Sequence, residues 1–129
     1  GKNQPTHGDF PEAVRKVAEK HNIPLIDLQE MSKILYEAWG AEESKNAFVH
    51  YKANTFKWQT TDLRDDTHLN NFGAYQLALC IIKGIRESIP ELAAKIVDAP
   101  DIDLENPDTF KDFEFPYSLR IDALKPDWD

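Results

Sequence analysis

Apolar residues recur every three or four positions in two stretches of the first forty residues, a spacing typical of amphipathic helices. The first helix is predicted from Asp9 to about residue 22, with Asp9 as the capping residue and Pro11 in the first turn. The second helix is predicted over residues 29–39, where Gly40 suits the C-terminal cap. Both apolar stripes are expected to face a core.

A third helix has the widest apolar face in the chain. Asn70 or Asn71 can cap its start, and the helix is predicted to end before Pro90. Pro90 then opens a short further helix that reaches about Val97. The chain is therefore predicted to be rich in helix.

One short run predicts a strand. Residues 23–28, Ile-Pro-Leu-Ile-Asp-Leu, are mostly apolar, as expected of a strand covered on both faces. A helix followed by a short turn and a buried strand is half of a βαβ unit, so the strand is predicted to be parallel and the fold to be α/β. Residues 48–64 form a connection longer than the ~12–15 residues usual for a structureless loop, which indicates either function or a missed short element.

Composition limits the class of protein. The chain has 129 residues, of which 41% are hydrophobic and 29% charged, which suits one globular domain. It contains no run of about 18 apolar residues, so we expect no membrane span. The net charge is −8 and no Lys/Arg cluster is present, so nucleic acid and anionic membrane surfaces are not expected partners.

Acidic residues are concentrated at one end of the chain. Residues 97–129 contain ten acidic and three basic residues, whereas residues 1–96 are nearly balanced. We therefore predict a domain over residues 1–97 and an acidic, proline-containing extended tail over residues 98–129 that wraps the domain. Its expected anchors are aromatic: Phe110, Phe113, Phe115 and Tyr117.

The single cysteine, Cys80, excludes an intramolecular disulfide and a cysteine-built zinc site. It lies in an apolar run of the third helix, where a small buried side chain is the expected role. We expect no cofactor and no metal.

The candidate chemistry lies just before the third helix, where Asp65 and His68 are three residues apart. A carboxylate at this spacing can accept the Nδ1 proton of the imidazole, which directs Nε2 outward and stabilises the imidazolium. His68 would then be a general base for a hydroxyl nucleophile supplied from elsewhere. The alternative is a solvated turn in which Asp65 or Asp66 only caps the helix.

A metal site is a second alternative for the same region. Four side chains could form a cage of oxygen and nitrogen ligands: His50, Asp62, Asp65 and His68. Their spacing matches no metal-binding motif.

Three sequence blocks in series resemble the C-terminal half of the SGNH/GDSL hydrolases, and most closely the rhamnogalacturonan acetylesterases. The run DDTHLN at residues 65–70, followed by Gly73, Ala74 and a long apolar helix, resembles the last conserved block of that family. The run THGDFPEAVR at residues 6–15 resembles a second segment, and residues 23–28 resemble the last core strand. The resemblance extends over about residues 6–87.

The resemblance implies a flavodoxin-like, three-layer α/β/α domain and an extracellular or periplasmic location. It also implies a serine esterase of the SGNH/GDSL type that deacetylates a pectic polysaccharide, in which Asp65 orients His68 and His68 is the base. Three side chains are candidates for lining the substrate cleft: His50, Tyr51 and Trp58. For the aromatic residues, covering the core is an equally good interpretation.

The nucleophile of that family is a serine in a Gly-Asp-Ser segment near the N-terminus, and this chain contains no such segment. None of its four serines follows Gly-Asp: Ser32, Ser44, Ser88 and Ser118. We therefore expect the chain to be inactive by itself and to associate with a missing N-terminal half or with a second copy. The chain begins at Gly1 and could be a fragment, a processed product or one chain of a complex. The alternative function is a non-catalytic carbohydrate-binding or interaction domain on a degenerate esterase scaffold.

Overall fold

A computed structural model describes residue 2, residue 4 and residues 6–114 of the chain. Two of the predicted tail anchors, Phe115 and Tyr117, lie outside the described residues. The helices and strands follow in this order: α1 (Phe10–Lys20), α2 (Leu28–Glu43), β1 (Phe48–Tyr51), β2 (Leu63–Leu69), α3 (Asn71–Ser88) and α4 (Pro90–Ala93), with 3₁₀ turns at Ser44–Ala47 and Phe110–Asp112. No helix in the described ranges is both long and apolar enough to cross a lipid bilayer.

The helix ends follow from local side-chain chemistry. The carboxylate of Asp27 accepts a hydrogen bond from the amide of Glu30 at 3.1 Å and so caps α2. Gly40 interrupts that helix with φ 77° and ψ 175°, a conformation that glycine adopts without steric strain. The helical path resumes after Gly40 and ends at Glu43, four residues beyond the predicted end.

The core lies between α2 and α3 and is completed by the acidic tail. Its buried members are Leu35 from α2, Leu79 and Cys80 from α3, and Ile102 and Leu104 from the tail. Burial raises the pKa of the Cys80 thiol to about 11, so it is a neutral, inert side chain at physiological pH.

An aromatic group extends this core toward the N-terminal end of α3. The buried ring of Phe72 contacts Trp39, Phe110 and Phe113, with ring centroids 5.1 to 5.5 Å apart. Trp39 also donates a hydrogen bond from its indole nitrogen to the backbone oxygen of Asp108 at 2.8 Å. Two of the four predicted anchors of the tail therefore pack beside the start of α3.

The strand predicted over residues 23–28 is not formed in the described structure. Residues 23–27 are irregular and Leu28 already belongs to α2. Ile26 packs against Gly84 of α3, while Ile23 and Leu25 line an apolar groove with α1. The segment lies between two helices, as the pattern indicates, but a strand requires a neighbour in a hydrogen-bonded ladder and no described residue provides one.

The sheet that does form is a hairpin in the region predicted to be a long connection and a turn. Strands β1 and β2 pair antiparallel, and they are the two strands of the described residues. The prediction of a parallel strand is therefore not met here, and the three-layer arrangement is not seen in this part of the chain. At the coarser level the molecule is helix-rich with a small sheet.

Candidate functional site

The β1–β2 hairpin carries the candidate catalytic residues on an irregularity of β2. Phe48 pairs with Leu69 and the next residue, Val49, pairs with Asp65, so residues 66–68 have no partner in β1. We call these three residues the excursion. An insertion of this kind bends a strand outward and redirects its side chains, and His68 is the last residue of the excursion.

The carboxylate of Asp65 makes the hydrogen bonds that shape the excursion. One carboxylate oxygen accepts hydrogen bonds from the backbone amides of Thr67 at 2.7 Å and His68 at 2.9 Å. The other lies 2.7 Å from Nδ1 of the His68 ring. Since an ionised carboxylate can only accept, Nδ1 carries the proton and donates it to Asp65.

These three hydrogen bonds hold the pKa of Asp65 well below its ordinary value of 3.8, at about 2. The amide of His68 contributes most, followed by the amide of Thr67 and then by the ring of His68. The carboxylate is therefore ionised at any pH where an esterase works. The His68 side chain is 77% exposed, and its Nε2 has no hydrogen-bond partner among the described residues, so that atom can accept a proton from a reacting hydroxyl.

Asn70 joins the hairpin to the start of α3. Its side-chain oxygen accepts from the amide of Gly73 at 3.1 Å and caps the helix. Its amide nitrogen donates to the backbone oxygens of Asn46 at 2.6 Å and Phe48 at 3.0 Å. His68 is therefore two residues from an anchor that ties β1, β2 and α3 together.

His50 forms a second histidine–carboxylate pair in the same hairpin. Its Nε2 lies 2.6 Å from a carboxylate oxygen of Asp66, the first residue of the excursion. The sequence predicts that His50 lines the substrate cleft. In the structure its Nε2 is hydrogen-bonded to Asp66. No sequence signal in the chain indicates this pair, because the two residues are 16 positions apart and meet only through strand pairing.

Hydrogen bonds from side chains shape the loop between the strands, residues 52–62. The sequence pattern does not predict this role for them. Gln59 is buried, and its amide nitrogen lies 2.7 to 3.2 Å from three backbone oxygens, which share its two hydrogens: those of Tyr51, Lys52 and Thr61. The carboxylate of Asp62 accepts from the amide of Ala53 at 3.0 Å. These bonds give the loop a defined shape without secondary structure.

Three aromatic rings pack in a row along this loop. Tyr51 and Phe56 make a T-shaped contact with centroids 5.1 Å apart, and Phe56 stacks on Trp58 at 5.6 Å with only 6° between the ring planes. Trp58 is 73% exposed, so this row does not cover the core. Adjacent residues of a strand direct their side chains to opposite faces, and Tyr51 accordingly packs in this row while its neighbour His50 contacts Asp66. The structure thus brings Tyr51 and Trp58 together through Phe56 and leaves His50 apart.

The metal alternative finds no support in the described residues. Asp62 binds Lys52 and the amide of Ala53, and His50 and His68 each contact a different aspartate. Within residues 6–114 no group of three or more histidine, cysteine, aspartate or glutamate side chains could hold a metal ion.

Comparison with known proteins shows that the chain is similar to a hydrolase of the carbohydrate acetylesterase class. The relative is the rhamnogalacturonan acetylesterase RhgT of Bacillus subtilis (strain 168), to which the chain is 37% identical over 87 residues. The matched stretch is 67% of this chain and 38% of that protein, so the chain spans less than half the length of its curated relative. The resemblance predicted from the sequence blocks is confirmed, and the chain is related to the esterases. No family model matches the chain, and no solved structure matches it.

Proposed function

We propose that the protein containing this chain removes acetyl groups from a pectic polysaccharide such as rhamnogalacturonan by a Ser-His-Asp mechanism. The observation that carries the proposal is the contact between Asp65 and His68, which leaves Nε2 of His68 free at the surface. The relationship to an acetylesterase supports the choice of reaction and of substrate. An extracellular or periplasmic location belongs to the same proposal.

In this reaction His68 accepts the proton of a serine hydroxyl at Nε2 while the serine oxygen attacks the ester carbonyl carbon. The imidazolium then returns the proton to the sugar oxygen as the alcohol leaves. Water attacks the acetyl-serine with the help of the same base, and acetate is released. Asp65 stays ionised throughout, because its hydrogen bonds depress its pKa, and it stabilises the imidazolium in both steps.

The serine is proposed to come from a segment outside this sequence. The hydroxyl of Ser32 donates to a backbone oxygen of α2 at 3.2 Å, and that of Ser44 to the backbone oxygen of Ala41 at 3.5 Å. Hydroxyls that donate to their own helix turn are common in helices and indicate no nucleophile. More than half of the relative's length has no counterpart in this chain, which leaves room for the missing residues.

That segment is proposed to dock on α1 and residues 23–27. The exposed side chains Phe10, Val14, Val17 and Ile23 lie along an open apolar groove of about 400 Å³. The amides of Leu25, Ile26 and Asp27 have no hydrogen-bond partner in the described residues. A strand added on one side of this segment would pair with every second one of these amides and cover the apolar face of α1, and it would extend the chain toward the predicted three-layer sandwich.

Tyr51, Phe56 and Trp58 are proposed to bind the sugar. Stacked and exposed aromatic rings present a flat apolar surface that suits the face of a pyranose. The row lies on the loop of the same hairpin that carries His68. The sequence prediction that His50 contacts the substrate stays a prediction.

The proposal is tested by measuring acetate release from acetylated rhamnogalacturonan by the full-length protein. Replacing the base, His68→Ala, is expected to lower kcat by at least about 10³-fold, and Asp65→Asn by about 10²–10⁴-fold. His21→Ala is the matched control, since this histidine caps the end of α1, outside the hairpin, and its removal is expected to leave the rate within about twofold. Full activity in His68→Ala would contradict the proposal.

The stacked pair of Phe56 and Trp58 also favours a second candidate, the non-catalytic carbohydrate-binding domain. In that case the wild-type protein would bind the polysaccharide without releasing acetate. Trp58→Ala would abolish binding, and His68→Ala would not change it.

A further inference from the structure

The pair formed by His50 and Asp66 has no part in the reaction described above. The carboxylate of Asp66 can only accept a hydrogen bond, so Nε2 of His50 carries the proton and donates it. This donation is possible whether the imidazole is neutral or protonated. The Asp66 side chain is 83% exposed and contacts no other hydrogen-bonding group among the described residues.

The position of this pair distinguishes it from an ordinary surface contact. The hydrogen bonds of Asp65 all lie within residues 65–68, so they fix the internal shape of the excursion. They tie the excursion to Asp65, which is paired with Val49, but none of them reaches a residue of β1. The ladder resumes only at Leu69, opposite Phe48. Between these two ends, the His50–Asp66 bond is the side-chain hydrogen bond from the excursion to β1 that the described residues show.

We propose that His50 is a positioning residue that orients His68 by holding the excursion against β1 through Asp66. The effect on catalysis rests on the proposed esterase function, whereas the positioning itself does not. A side chain that aims a catalytic base has a large effect on rate, since a displacement of about 1 Å at the reacting atoms can slow a reaction about a hundredfold.

Glutamine provides the matched replacement for His50. Its side-chain amide nitrogen lies at nearly the same distance from Cβ as Nε2 of histidine, and it can donate to Asp66 without being a base. His50→Ala removes the donor, and Asp66→Ala removes the acceptor. The double variant tests whether the two residues act as one unit, because it should then show no further effect.

The first measurement is amide hydrogen exchange in the full-length protein by NMR, which does not depend on activity. His50→Ala and Asp66→Ala are each expected to speed exchange at Thr67 and His68 about three- to tenfold, as the loss of one hydrogen bond would. The exchange rate of the Leu79 amide, in the core, should not change. His50→Gln should restore the wild-type exchange rates at Thr67 and His68 within about twofold. Unchanged exchange at Thr67 and His68 in His50→Ala, or failure of the glutamine variant to restore it, would overturn the proposal.

The second measurement is the esterase kinetics of the same variants. His50→Ala is expected to lower kcat about ten- to hundredfold with KM nearly constant, and His50→Gln to recover most of that loss over the whole pH range. A histidine that exchanges protons with the substrate would not be replaced by glutamine, so loss of activity in His50→Gln contradicts a positioning role. If no variant, including wild type, releases acetate while the exchange rates change as expected, the esterase proposal fails and the positioning stands.

Discussion

Replacing Gly73 with alanine tests how closely the start of α3 must approach the segment before β1. A Cβ atom at this position would overlap the backbone oxygen of Ala47, and it would lie 2.8 Å from the carbonyl carbon and 2.9 Å from the Cβ of that residue. The obstructing group is backbone, so it cannot rotate away. We expect Gly73→Ala to push α3 and Ala47 apart.

The size of the effect follows from three contributions. Alanine favours a helix over glycine by about 1 kcal/mol, which opposes the loss. Overpacking in a close contact costs about 1–3 kcal/mol, and the displacement also strains the cap and the ties made by Asn70, worth about 1–2 kcal/mol. The net expectation is a decrease of about 1–4 kcal/mol in the free energy of unfolding.

Urea denaturation followed by circular dichroism measures this difference. Ala74→Gly is the matched control, because this neighbouring helical residue is exposed and should lose only the propensity term of about 1 kcal/mol. If Gly73→Ala is instead about 1 kcal/mol more stable than wild type, helix propensity alone governs the site and the close approach is wrong.

Three further predictions concern an ionised carboxylate, a buried side-chain amide and an uncovered apolar helix face. In the folded protein the pKa of Asp65 lies below its ordinary value of 3.8, so the stabilising effect of its carboxylate is complete above about pH 4 and is lost as the pH falls toward 2. When the free energy of unfolding is measured over this pH range, Asp65→Asn should lose less stability than wild type. Both side-chain polar atoms of Gln76 are buried without a partner in the part of the chain that the structure describes, so Gln76→Leu should raise the free energy of unfolding by about 1 kcal/mol, and a decrease would show that the amide has a partner in the whole protein. Val14→Asp, on the exposed face of α1, should barely change the stability of this chain but should weaken its association with the proposed nucleophile-bearing segment, measured by sedimentation of the two parts; equal association would refute the proposed docking surface.

The parts of the fold that were predicted well are those encoded by neighbouring residues. Helix α1 was predicted over residues 9–22 and is found at Phe10–Lys20, and Asn70, one of the two predicted capping residues, caps α3. The spacing of Asp65 and His68 also depends only on four consecutive residues, and the side chains meet in the structure. Such features need no knowledge of distant contacts.

The hairpin could not be predicted because β2 lacks a local signal and the four residues of β1, Phe-Val-His-Tyr, form a strand only with a partner. Strand β2 reads Leu-Arg-Asp-Asp-Thr-His-Leu, a sequence poor in the apolar and β-branched residues that favour strands. It is a strand because β1 pairs with it, and the carboxylate of Asp65 shapes the unpaired residues. Residues 23–28 show the opposite case, with a strong strand pattern but no partner in the described residues, since strand pairing is a non-local property.

The contact between Arg15 and Asp27 has a consequence for how the two parts of the proposed domain would meet. The guanidinium donates to Asp27 at 2.5 Å and to the side chain of Gln29 at 2.8 Å, and the same carboxylate caps α2. Helix α1 buries none of its own side chains, and these charge-assisted bonds tie it to the start of α2. Part of the ordering of the groove is therefore in place before any strand arrives, which would leave less ordering for the moment of association.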